Sequence, residues 1–101
     1  MKDVLFHPAV RNIVRSFPKE VKQELGKAIY ELQVGVKLTY PVSKPISSVG
    51  KGVEELRIKD ATGAYRVFYL AKFEETILIF HAFQKKTQKT PLKEINVGRK
   101  R

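Results

Sequence analysis

The sequence predicts an α+β domain in which two N-terminal helices pack on a small antiparallel sheet, followed by a short C-terminal helix. Two observations carry that expectation. Apolar residues recur at helical spacing through residues 10–32, and three apolar runs with short connections fill residues 53–83. At 101 residues the chain suits one domain, residues 1–101, around a single core.

Taken in order, Val4 to Phe6 read as a short strand stopped by Pro8. Val10, Ile13, Val14 and Phe17 then mark one face of a short helix. Pro18 restarts a second helix, where a first-turn proline costs no hydrogen bond. Val21, Leu25, Ala28, Ile29 and Leu32 form its stripe, and Gly35 ends it. The proline- and serine-rich segment "KLTYPVSKPISSVGKG" reads as a loop. "VEELRIKD", "AYRVFYLAK" and "TILIFHAF" follow as three strands. Their connections are too short for parallel crossovers, so they are antiparallel neighbours. Thr90 and Pro91 resemble an N-cap and first-turn proline for a helix to about Val97, and all helices are expected on one face of the sheet.

The charge narrows the function classes. Twenty Lys and Arg against ten acids leave +10, an excess that points to a polyanionic partner, with nucleic acid ahead of a membrane surface. There is no cysteine, which excludes disulfides and thiolate metal sites. His7 and His81 lack ligand spacing, so neither metal nor cofactor is expected. No apolar run reaches the length of a signal peptide or membrane span, which makes a cytoplasmic address the expectation.

Alternation also sorts the cations. With Leu56 and Ile58 toward the core, Arg57 and Lys59 point away together. Arg66 shares a face with Phe68 and Leu70, while Tyr65, Val67 and Tyr69, core aromatics with polar tips among them, take the other. In the last strand Ile77, Ile79, His81 and Phe83 are expected opposite Leu78, Phe80 and Ala82. Arg57, Lys59, Arg66, Lys85 and Lys86 would then converge on one exposed patch. From His81 to Arg101, seven Lys or Arg stand against one Glu, a net +6, so the excess is one-sided. Bland readings exist for each cation: solvation of a strand face for Arg57 and Lys59, an ion pair with Glu54 or Glu55 for Arg66, and a gatekeeper role for the lysines after Phe83. Lys51, in "GKG", lacks the spacing of a phosphate loop. His81 is a spare base, because imidazole titrates near neutrality unperturbed.

"ELR", "YRVFY", "ILIFHAF" and above all "KKTQKTP" with its basic tail resemble the HigB branch of the RelE/ParE toxin superfamily, including its phage-derived relatives. "FPKEVKQELGKAI" extends the resemblance to nearly the whole chain. It implies a RelE/ParE-like fold and a type II toxin that cuts mRNA in the ribosomal A site. It also implies a cognate antitoxin, of the HigA-like helix-turn-helix kind. By position, Arg66 matches the family's phosphate-stabilising arginine, Lys85 and Lys86 its basic pair, and Arg57 and Lys59 its basic residues on the preceding strand. Lys59 joins Arg66, Lys85 and Lys86 as a catalytic residue, and Arg57, Lys51, Lys89 and His81 are expected to bind RNA. The chain departs from RelE in having no tyrosine after the lysine pair, and it lacks the His-Asp-Tyr-His arrangement of the HigB type. A ParE-like gyrase inhibitor and a non-enzymatic nucleic-acid-binding module are the alternatives.

Overall fold

A computed structural model describes residues 1–71, 74–86 and 90–101. Lys89, one of the expected RNA contacts, lies outside the described residues. The elements run β1 (Asp3–Phe6), α1 (Pro8–Arg15), α2 (Lys19–Gln33), β2 (Ser43–Pro45), β3 (Glu54–Asp60), β4 (Gly63–Leu70), β5 (Thr76–Lys85) and α3 (Leu92–Lys100). The strands make one sheet in the order β1-β5-β4-β3-β2. The meander β3–β4–β5 is antiparallel, as the short turns require, whereas β1 pairs with β5 in parallel. Most of the chain separates β1 from β5, which leaves ample length for a crossover.

Local chemistry explains the boundaries. His7 caps α1, its Nδ1 accepting from the Ala9 amide at 3.2 Å, and Pro8 sits in the first turn. Gly35 follows α2 at φ +94°, a conformation that a residue with a Cβ rarely adopts. In the β3–β4 turn Asp60 Oδ1 accepts from both the amide and the hydroxyl of Thr62, and Gly63 takes φ +137°. The segment read as a loop contains β2, a three-residue edge strand paired antiparallel to β3. Its Pro45 masked the strand in the sequence, because proline suits edges but gives no ladder hydrogen bond.

The sheet separates two cores. On one face α1 and α2 bury Val10, Val21, Leu25 and Leu32 against Leu56, Ile58, Tyr65, Val67, Tyr69, Ile77, Ile79 and Ala82. Each buried Val, Leu or Ile among them contributes about 1.5–3 kcal/mol on burial. The aromatic tips find partners: Tyr65 Oη lies 2.6 Å from Thr62 Oγ1, and Tyr69 Oη 2.5 Å from Ser43 Oγ. On the opposite face Ile46, Val49, Val53, Phe68 and Phe83 form a smaller core with Phe80 and with Ile95 of α3. The helices therefore do not share a face, contrary to expectation. Gly98 of α3 lies so close to Phe68 that a Cβ there would stand 2.9 Å from the ring.

A β-bulge reorders the last strand. Phe68 pairs with His81 but Tyr69 pairs with Ile79, which leaves Phe80 as the extra residue. Ile77, Ile79 and Ala82 consequently face the helix pair, while Phe80, His81 and Phe83 all belong to the α3 face. Strict alternation had put His81 with Ile77 and Ile79; the inserted residue shifts the phase of everything after it.

Candidate functional site

The α3 face of the sheet carries the cations in registered rows. Across β2, β3, β4 and β5 the first row reads Lys44, Glu55, Phe68, His81. Across β3, β4 and β5 the second reads Arg57, Arg66, Phe83, and the third Lys59, Ala64, Lys85. Four of the expected site residues, Arg57, Lys59, Arg66 and Lys85, thus share one end of one face. Directly opposed guanidinium groups repel, so the Arg57–Arg66 pairing needs an explanation.

Part of it is Glu55. Its carboxylate is buried, 2% exposed, and its Oε1 lies 3.8 Å from Arg66 Nε. Thr90 donates to its other oxygen at 2.6 Å. Thr90 was expected to cap α3, but Pro91 occupies the cap position with no side-chain bond, and the hydroxyl ties the approach to α3 onto β3 instead. Arg66 is itself only 2% exposed and forms the floor of the cluster rather than an open patch. Its Nη1 donates to the Tyr65 carbonyl at 3.3 Å. At 3.8 Å the Glu55 contact exceeds hydrogen-bond length, and the Nε atoms of both Arg57 and Arg66 are buried with no hydrogen-bond partner. Two unspent donors beside each other suit an anion. Burial draws Arg66 below the usual arginine value, Glu55 opposes this, and Arg57 adds to it.

Lys85 is half-buried at the end of β5. Burial lowers its pKa from the usual lysine value, and Arg66 lowers it further; Glu55 opposes, and Arg57 and Lys44 act in the same direction as Arg66. Lys59 is exposed, Arg57 half-exposed, and Lys86 exposed one residue beyond the strand. Lys51 is exposed on the turn before β3, at the opposite end of that strand from Lys59, and does not join the cluster. Nor does His81. It is 4% exposed, with Nε2 at 2.7 Å from Glu94 Oε1 and Nδ1 at 3.0 Å from Arg101 Nη1, and its ring stacks on Phe83. Burial lowers its pKa, partly offset by the Glu94 hydrogen bond. His81 fastens α3 to the sheet.

Three contributors were not assigned to the site from sequence. Lys44 was hidden in the segment read as a loop, although Ser43-Lys44 does show strand alternation once pairing is known. Glu55 entered only as a possible partner of Arg66. Tyr40 gave no signal: its ring lies under Arg57, with Cζ 5.1 Å from the centroid, and it is 70% exposed.

A family model described as "Phage derived protein Gp49-like" matches residues 12–101. Among solved structures, the isolated Escherichia coli RelE toxin is similar, with a TM-score of 0.61 at 13% identity over 87% of this chain and 89% of that one. The intact E. coli RelBE toxin–antitoxin complex is also similar, with a TM-score of 0.55 at 16% identity over 86% of this chain and 100% of the matched chain. At these identities the likeness is one of fold. A sequence comparison with curated proteins gives no match.

Proposed function

Because the chain belongs to the Gp49-like family of phage-derived proteins, a RelE/HigB-type toxin family, and has the RelE fold, we propose that it is a ribosome-dependent mRNA endonuclease of a type II toxin–antitoxin pair. The observation that carries the reading is the Arg57–Arg66 pair with two buried, unpartnered Nε donors, set beside a lysine of lowered pKa.

The chemistry follows from those groups. The ribose 2′-oxygen attacks the adjacent phosphorus, the P–O5′ bond breaks, and a 2′,3′-cyclic phosphate and a free 5′-hydroxyl result. Lys85, whose charged form burial and Arg66 disfavour, takes the 2′-hydroxyl proton. Arg57 and Lys59 hold the non-bridging oxygens, whose charge grows in the transition state. Arg66 acts from beneath, keeping the field positive and disfavouring a charged Lys85. Lys86, at the same end of the sheet, is the source of the proton for the departing 5′-oxygen. RNA contact by Lys89 extends the reading along the basic tail.

The likeness to the RelBE toxin–antitoxin complex supports a protein antitoxin as the partner here too, and we take it to be of the helix-turn-helix, HigA-like kind. Among the described residues no helix is long and apolar enough to cross a membrane. Induced expression should arrest growth and create new RNA ends inside translated codons, with Lys85→Ala abolishing both. Intact messages during arrest, with rescue by gyrase mutations, would transfer the reading to a gyrase poison.

A further inference from the structure

Tyr40 is an exposed aromatic ring beside a cationic site, and nothing in the phosphate chemistry uses it. It lies between α2 and β2 in a turn held by backbone bonds from Val42 and Ser43 to the Thr39 carbonyl, at 3.0 and 3.1 Å. The Val42 carbonyl in turn accepts from the Arg57 amide at 2.8 Å, which fixes the turn to β3. The ring is therefore presented on a rigid base. Arg57 contacts it at 5.1 Å, yet 70% of the residue remains open to solvent. Arg57, by hydrogen bonding and then by charge, lowers the phenol below the usual tyrosine value, and Lys44 and Lys59 contribute in the same direction. The ring thus sits within electrostatic reach of two further cations of the rows described above.

A ribonucleotide presents a phosphate and, about one residue's reach away, a flat base. Arg57 pairs across the sheet with Arg66 and also touches the Tyr40 ring, so it links the two. We propose that Tyr40 is the base-stacking subsite of this protein, taking a nucleobase of single-stranded RNA next to the phosphate held by Arg57. The inference rests on the RNA reading given above. It also supplies a reason for an exposed tyrosine in a turn: stacking on an aromatic face tolerates any base, and single-stranded RNA offers its bases unpaired.

The test is fluorescence anisotropy with two labelled probes of equal length, a single-stranded oligoribonucleotide and an abasic strand with the same phosphates. Wild type should bind the base-containing strand more tightly. Tyr40→Ala should weaken that binding by roughly tenfold, in the range of lost base–aromatic stacks, and leave the abasic strand unchanged. Tyr40→Phe should retain wild-type affinity for both. Because the side chain is exposed, circular dichroism should show an unchanged fold in both variants. Equal weakening on both strands would overturn the proposal, since the ring would then only support Arg57; so would an unaltered Tyr40→Ala. Wild type that binds both strands alike would refute the subsite and leave phosphate recognition standing. Wild type that binds neither would remove the RNA reading and the subsite together.

Discussion

Glu55→Gln isolates the charge at the centre of the site. Glutamine has the same shape and its carbonyl oxygen can still accept from Thr90, so the 2.6 Å hydrogen bond is preserved and only the negative charge is lost. Glu55 and Arg66 side chains are 2% and 3% exposed, which means water cannot replace the missing partner. Breaking a buried pair by removing one member costs about 3–5 kcal/mol. The Nε–Oε1 separation of 3.8 Å is looser than a hydrogen bond, which places the loss at the lower end, about 3 kcal/mol. Lys85 is left without Glu55, the one acid that opposes the effect of Arg66, Arg57 and Lys44 on it. For a domain of this size a loss of 3 kcal/mol lowers Tm by roughly 12–24 °C. Urea and thermal denaturation measure it directly. Inorganic phosphate held by Arg57 and Lys59 should then protect the variant more than wild type, because the charge of Arg66 beneath it is no longer balanced; at about 100 times its Kd it returns about 2.7 kcal/mol. A loss below about 1 kcal/mol, or no differential protection by phosphate, would refute the buried-anion account of this site.

Lys85→Ala and Lys85→Arg should both reduce message cleavage by roughly 10²–10⁴, as read by RNA end mapping; arginine cannot give up its proton at neutral pH, so a fully active Lys85→Arg would remove Lys85 as the base. Burial holds His81 below its unfolded value of about 6.5, so the unfolded chain binds the proton more readily. Stability from this group is therefore intact above that value and declines as pH falls through it toward the folded pKa; urea midpoints measured across that range should fall in wild type and stay flatter in His81→Gln. Gly98→Leu should loosen α3 by about 1–3 kcal/mol, because even a Cβ meets Phe68 at 2.9 Å and Val49 at 3.0 Å; an unchanged melting curve would contradict that packing. If Lys44, Arg57, Lys59 and Lys85 each neutralise a phosphate of single-stranded RNA, log K should fall against log salt with a slope of about −3, and Lys44→Ala should reduce the slope by about 0.7.

Several features were legible in the chain because they depend on near neighbours. The stripe Val21, Leu25, Ala28, Leu32 identified α2 and its buried face, and Gly35 its end. Alternation around Leu56 and Ile58 placed Arg57 and Lys59 on the other side of β3. Short turns forced the antiparallel meander, and its register brought Arg57 beside Arg66. The resemblance in "YRVFY" and "KKTQKTP" agrees with the family that residues 12–101 match.

What stayed hidden depends on contacts between distant segments. A bulge is defined only against its partner strand, so the phase change at Phe80 that turns His81 toward Glu94 left no mark on the alternation itself. Pro45 argued against a strand until β3 supplied an edge for it, and only that edge sets Lys44 level with Glu55. α3 crosses to the far face because Ile95 and Gly98 find Phe68 there, a choice no tail of nine residues announces. The chain by itself therefore determined which residues are cations, which strands carry them and which side of β3 they take, since a period of two is a property of adjacent residues. Tertiary structure decided which cation lies buried as the floor, which acid accompanies it and which ring stands beside the site. Burial and charge–charge distance arise only when segments far apart in the chain are brought together.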